Sequence, residues 1–113
     1  MRRNRLQIWT DLLVAVRREA QLGLVTPSRV QSRANLPYGR FRRHLDELHQ
    51  RGLLERDPLR VTPLGHDFLR QCAVLEEFLQ RFGLADESPV VLRERLAFDG
   101  PRGRPAVLAP QSG

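Results

Sequence analysis

The sequence predicts a mostly α chain with one small β-hairpin, and three observations predict it. Apolar residues recur at spacings of three and four over residues 3–22 and again over 63–82, the period of a helix that buries one face. Between them, TPSRVQSRANLPYGRFRRHLDELHQRGLLERDPLRVTPLG (26–65) holds two shorter helical patterns joined by a tight turn. Two strand-length runs then flank the turn signal Asp57-Pro58.

The first helix spans 3–22 on a stripe of Leu6, Trp9, Leu13, Val16 and Ala20, and Gly23 ends it. Ile8 and Leu12 fall off that stripe, so this helix offers more apolar surface than one domain face requires, which a subunit contact could use. Trp9, on the stripe, reads as packing. Arg2, Arg3 and Arg5 ahead of it are either a phosphate-seeking arm or a solvated end.

The next helix opens at Thr26, whose hydroxyl can cap the first amides, with Pro27 suited to the first helical position. Val30 and Ala34 share its buried face. Asn35 tolerates the left-handed conformation that stops a helix, and Leu36 before Pro37 is disfavoured as helical, so the chain must turn. A third helix follows over 37–51, buried through Phe41, Leu45 and Leu48 and stopped by Gly52. At about 100° per residue, that stripe leaves Gly39, Arg43, Asp46 and Gln50 opposite, with Arg40 and Arg42 on the flanks. Three arginines therefore surround its exposed first turns.

Leu53–Arg56 and Arg60–Thr62 are the expected strands of the hairpin. Thr62-Pro63 then caps a long helix to about Phe82, ending before Gly83. Phe68, Cys72, Leu75, Leu79 and Phe82 are spaced four, three, four and three along it, a heptad seam. Leu64, Leu69, Val74 and Phe78 widen that seam beyond what one packed face needs, so the helix is expected to be covered on two sides. Ser88-Pro89 opens either a short helix or a strand carrying Val91, Leu92, Leu96 and Phe98. The final GPRGRPAVLAPQSG reads as a disordered tail.

Helix, turn, basic helix and short hairpin resemble the winged helix-turn-helix DNA-binding domain. ANLPYGRFRRHLDELHQRGLLER followed by VTPLGHDFL is similar to small archaeal winged-helix DNA-binding proteins, over roughly residues 6–82. The resemblance implies a mostly α fold with a small β-hairpin: a winged helix-turn-helix at 1–62, a C-terminal dimerisation helix at 63–84 and a largely irregular tail at 85–113. It also implies that the third helix enters the major groove of double-stranded DNA, with Tyr38, Arg40, Arg42 and Arg43 at the bases or phosphates. Arg29 and Arg33 are one turn apart on the supporting helix and can grip phosphate, as can Arg56 and Arg60 beside the hairpin turn; a solvated face is the alternative for any one of them. For Arg42 and Arg43 the alternative is pairing with Asp46 and Glu47 at spacings of four, worth only about 0.3 to 0.5 kcal/mol when exposed. Related proteins pair through the terminal helix, so a homodimer through Phe68, Cys72, Leu75, Phe78, Leu79 and Phe82 is expected. In such proteins a small hydroxyl residue usually caps the third helix; here Pro37 stands in its place, and the hairpin is short.

Charge points the same way. The net charge is +6, all 19 basic residues are arginine, and residues 1–60 hold 13 of them against 6 acids. A field of this kind favours polyanions, and its asymmetry assigns the basic surface to the front half. One cysteine, Cys72, excludes an internal disulfide and a cysteine zinc site, and no apolar run reaches membrane-spanning length. His44, His49, His66 and Cys72 form no catalytic motif, so a binding protein without cofactor is expected rather than an enzyme. The expectation is thus a cytoplasmic, nucleoid-associated, dimeric transcriptional regulator. The alternatives are a repressor that responds to a ligand or to oxidation of Cys72, and a winged-helix protein-interaction module without DNA contact.

Overall fold

A computed structural model describes residues 3–90. In chain order these form α1 (Arg5–Leu22), α2 (Pro27–Ala34), α3 (Tyr38–Gln50), β1 (Leu54–Arg56), β2 (Leu59–Val61), α4 (Pro63–Arg81) and a 3-10 turn at Ala85–Glu87. The described residues are mostly α with one two-stranded antiparallel hairpin, the architecture of a winged helix.

Helix starts are fixed by side-chain caps. Asn4, Thr26 and Thr62 accept from the amides of Gln7, Arg29 and Gly65 and so open α1, α2 and α4. Pro37 precedes α3 without a side-chain cap. Helix α2 stops at Asn35, which is left-handed at φ 57°, and the Leu36 amide returns to the Gln31 carbonyl at 3.4 Å. At the end of α3 Gly52 adopts φ +77°, and the Leu53 amide returns to Leu48 at 3.0 Å. In both cases the residue after the stop, Leu36 or Leu53, is buried, so each turn is also held by apolar packing.

Helix α1 is the centre of the core. Ile8, Trp9, Leu12, Leu13, Ala15 and Val16 are all buried on it, and it packs against α2, α3, β2 and α4. The expectation that Ile8 and Leu12 lie off the buried stripe is therefore corrected. A helix wrapped by four elements buries most of its circumference, and both residues are core. Ala20, placed on the stripe, is instead exposed. Trp9 packs as expected: its ring lies 6.4 Å from that of Phe68, with the Arg51 guanidinium 5.0 Å over its centre.

The hairpin pairs Leu54 with Val61, Glu55 with Arg60 and Arg56 with Leu59. Its second strand thus begins at Leu59, one residue earlier than the sequence suggests, because Leu59 pairs directly with Arg56 across the two-residue Asp57-Pro58 turn. Leu54, Leu59 and Val61 are buried, which roots the hairpin in the core. Thr62 joins three elements, since its hydroxyl donates to the Gly52 carbonyl at 2.6 Å and accepts from the Gly65 amide at 3.0 Å. Beyond α4, the Asn4 amide donates to the Pro89 carbonyl at 2.9 Å and Val90 is buried. The expected helix or strand carrying Val91, Leu92, Leu96 and Phe98, and the tail that follows, lie outside the described residues.

Gly65, in the first turn of α4, is a close approach that the sequence did not single out. A Cβ there would overlap the Leu53 carbonyl oxygen and lie 2.7 Å from Val61 Cγ1. Leu53 cannot yield easily, because its carbonyl accepts the Thr62 amide at 3.2 Å. Glycine to alanine in a helix ordinarily stabilises by about 1 kcal/mol. Here Gly65→Ala is expected to destabilise by about 1 to 3 kcal/mol through overpacking. Thermal denaturation reads the sign, and an unchanged or raised midpoint would refute the contact.

Candidate nucleic-acid interface

The helical phase of α3 buries Phe41, His44, Leu45 and Leu48 and leaves Tyr38, Gly39, Arg40, Arg42 and Arg43 exposed on its first turns. Arg42 donates to the Tyr38 hydroxyl at 3.0 Å and its guanidinium stands 5.9 Å over the same ring. That hydroxyl, and to a lesser degree Asp46, raises the Arg42 pKa above its ordinary value. Arg40 and Arg43 have no hydrogen bond or ion pair among the described residues.

The acids expected to neutralise this helix are engaged elsewhere. Asp46 pairs with Arg56 of β1, and Glu47 bonds His44 Nδ1 at 3.2 Å. Neither pair of the alternative reading, Arg42 with Asp46 or Arg43 with Glu47, forms a salt bridge, because a hairpin packed behind α3 presents a closer cation to one acid and the helix itself presents His44 to the other. The hairpin arginines are both paired: Arg56 with Asp46, and Arg60 with Glu55, its cross-strand partner, at 2.7 Å. The Arg60 pair is exposed on both sides, and such pairs contribute about 0 to 1 kcal/mol, so a phosphate can replace the acid.

Arg29 and Arg33 lie together on α2 and share a carboxylate that the sequence reading passed over. Arg33 Nε donates to Glu19 Oε2 at 2.8 Å, while Arg29 Nη1 stands 3.9 Å from Oε1, within ion-pair reach and beyond hydrogen-bond length. The available signal was that Leu12, Val16 and Glu19 continue one stripe at spacings of four and three, which places an acid on a buried face. Arg3 is neither a phosphate-seeking arm nor a solvated end. It donates to Asp11 and to the carbonyls of Ala34 and Asn35, each at 2.7 to 2.8 Å, and so caps the end of α2.

Helix α4 divides the expected heptad seam in two. Phe68 packs on Trp9 and Cys72 is buried, both within the protomer, and Leu79 is half-buried. Leu75, Phe78 and Phe82 stay exposed, joined by Leu64 and Val74, and the rings of Phe78 and Phe82 lie 5.0 Å apart. The free apolar face is therefore rotated from the predicted seam toward Val74 and Phe78, because Leu69 and Cys72 turn the opposite face into the core.

Cys72 sits in that packed face, and burial pushes its thiol up to about 11. Among the described residues no group of His, Cys, Asp and Glu is arranged to hold a metal ion, and no helix is long and apolar enough to cross a membrane.

Comparisons with curated proteins and with solved structures return no match. The winged helix-turn-helix family model matches residues 2–80, a span that takes in α1, the α2–α3 pair, the hairpin and nearly all of α4. The chain therefore belongs to the winged helix-turn-helix family.

Proposed function

We propose that the protein is a dimeric DNA-binding transcriptional regulator of the small archaeal type, acting on the nucleoid in the cytoplasm, with α3 in the major groove and the hairpin against the backbone. The observation that carries this reading is the pair Arg40 and Arg43, exposed on the first turns of α3 with no acid bound to either. Arginine forks match guanine edges and phosphates alike, and an unpaired fork gives up no intramolecular partner on binding. Tyr38 supports Arg42 beside them. With only Asp57 and Pro58 between the strands, Arg56 and Arg60 stand close to the body of the domain, where backbone phosphate is their natural ligand.

The exposed face of α4 supports a homodimer. Leu64, Val74, Leu75, Phe78 and Phe82 form an apolar stripe of the kind that marks a protein interface. A twofold pair would present two α3 helices to successive major grooves. In this reading Phe68 and Cys72 support the interface from beneath, and the protein acts by occupying DNA, with no catalytic step and no cofactor. A switch through Cys72 is disfavoured, because a buried thiol with a raised pKa holds little thiolate at neutral pH.

Four outcomes follow. Binding to labelled duplex DNA is expected to weaken steeply with salt, by about 0.9 in log-log slope per phosphate contact. The Arg40/Arg42/Arg43→Ala variant, altered only at exposed positions, is expected to stay folded and lose at least about a hundredfold in affinity. Unimpaired binding by that variant would refute the assignment of α3. In light scattering at tens of micromolar, wild type is expected at twice the 13.0 kDa chain mass and Phe78→Glu at the monomer mass with an unchanged circular dichroism spectrum. A monomeric wild type would end the pairing proposal. Finally, alkylation of Cys72 by iodoacetamide at pH 8 is expected to be roughly a hundredfold slower in the native protein than in urea, and to rise tenfold per pH unit up to pH 9. Equal native and denatured rates would reopen the redox reading.

A further inference from the structure

Glu19, Arg29, Ser32 and Arg33 line an open notch of about 340 Å³ between the end of α1 and the outer side of α2. Glu19 is the unusual member, a carboxylate whose residue is only 4% exposed. A buried carboxylate is costly unless it is fully bonded. Oε2 takes the Arg33 Nε, yet Oε1 has no hydrogen-bond partner, and the nearest cation, Arg29 Nη1, stops at 3.9 Å.

We propose that Glu19 is a positioning residue which makes Arg29, Ser32 and Arg33 one seat for a backbone phosphate of DNA. The proposal rests on the DNA-binding reading above and adds to it a second anchoring point, away from α3. Binding Arg33 through Nε fixes its side chain and leaves both terminal Nη groups without a partner among the described residues. Arg29, 69% exposed, adds a second fork, and Ser32 adds a hydroxyl. Two cations and one anion leave a net charge of +1 with several unused donors. Their complement is a singly charged group that only accepts, which describes a phosphodiester.

The openness of the notch selects a polymer over a small molecule. A free ligand needs most of its surface buried to be held, whereas a phosphate in a duplex is delivered by the rest of the interface. Helix α2 leads directly through Asn35–Pro37 into α3, so the seat and the free arginines of α3 belong to one rigid helix pair. Glu19 contributes by holding Arg33 in place before DNA arrives, so that little freedom is lost on contact.

The test measures affinity for a labelled 20-base-pair duplex across a salt series, using full-length wild type, Arg33→Ala, Arg33→Lys, Glu19→Gln and the Glu19→Gln/Arg33→Ala pair. Arg33→Ala is expected to lower the log-log salt slope by about 0.9, one phosphate contact. Arg33→Lys, which keeps the charge and loses the fork, is expected to stay within about twofold of the alanine variant. Glu19→Gln, nearly the same shape as the native side chain, is expected to weaken binding about two- to tenfold in the wild-type background and to have no effect once Arg33 is gone. Strengthened binding by Glu19→Gln, or equal weakening in both backgrounds, would overturn the positioning role, and wild-type affinity in Arg33→Lys would overturn the oriented seat even if Glu19→Gln failed to fold. An unchanged slope in Arg33→Ala, beside loss of binding in the α3 triple variant, sinks the seat alone. If wild type ignores DNA at low salt, both readings fall.

Discussion

The angle between α2 and α3 depends on satisfying the carbonyls at the end of α2. A helix leaves its last carbonyls without internal partners, and a buried carbonyl left unbonded costs free energy. Arg3, just ahead of α1, donates to the carbonyls of Ala34 and Asn35, and the Gln31 side chain donates to the carbonyl of Leu36 at 3.1 Å. The left-handed Asn35 and the buried Leu36 complete the joint. Helix α3 follows directly on this joint, so Arg3 helps to set the direction in which α3 leaves the turn.

Net charge is a poor guide to which arginines meet a ligand. Arg3 is spent on carbonyls and Asp11, and Arg70 on Asp67, while Arg33 and Arg56 are each held in place by one acid, Glu19 and Asp46. Arg5 and Arg51 lie over Trp9, where their apolar stems and planar heads cover an aromatic surface. On α3, Arg40 and Arg43 have no ion pair among the described residues. The hairpin contributes to this indirectly, because Arg56 holds Asp46, the acid about one turn along the helix from both Arg42 and Arg43.

Element boundaries were readable from the sequence wherever a residue type has one dominant use. Thr26-Pro27 and Thr62-Pro63 open helices, and Asn35 and Gly52 close them, within a residue of where the structure places each. The exposed arginines of α3 followed from the phase of Phe41, Leu45 and Leu48 alone. What periodicity could not supply was depth and partnership. Ile8 and Leu12 are core because α1 is wrapped by four elements, a tertiary fact absent from a single-helix pattern. Asp46 chooses Arg56 ten residues away over Arg42 four residues away, and Glu19 holds Arg33 fourteen residues on. Such long-range pairs carry no local signature. Along α4 the apolar pattern likewise could not show which of its residues the domain itself buries: Leu69 and Cys72 are buried, while Leu75, Phe78 and Phe82 are exposed.

One hydroxyl, that of Thr62, ties the end of α3, the base of the hairpin and the start of α4 into a single joint. With Gly65 packed against Leu53 at the same place, the basic helix and the apolar one meet at one close-packed joint. Two such bodies set face to face would act as a caliper of fixed opening: the distance between reading heads would be dictated by how the jaws meet, and a duplex of the wrong pitch would have to bend to fit.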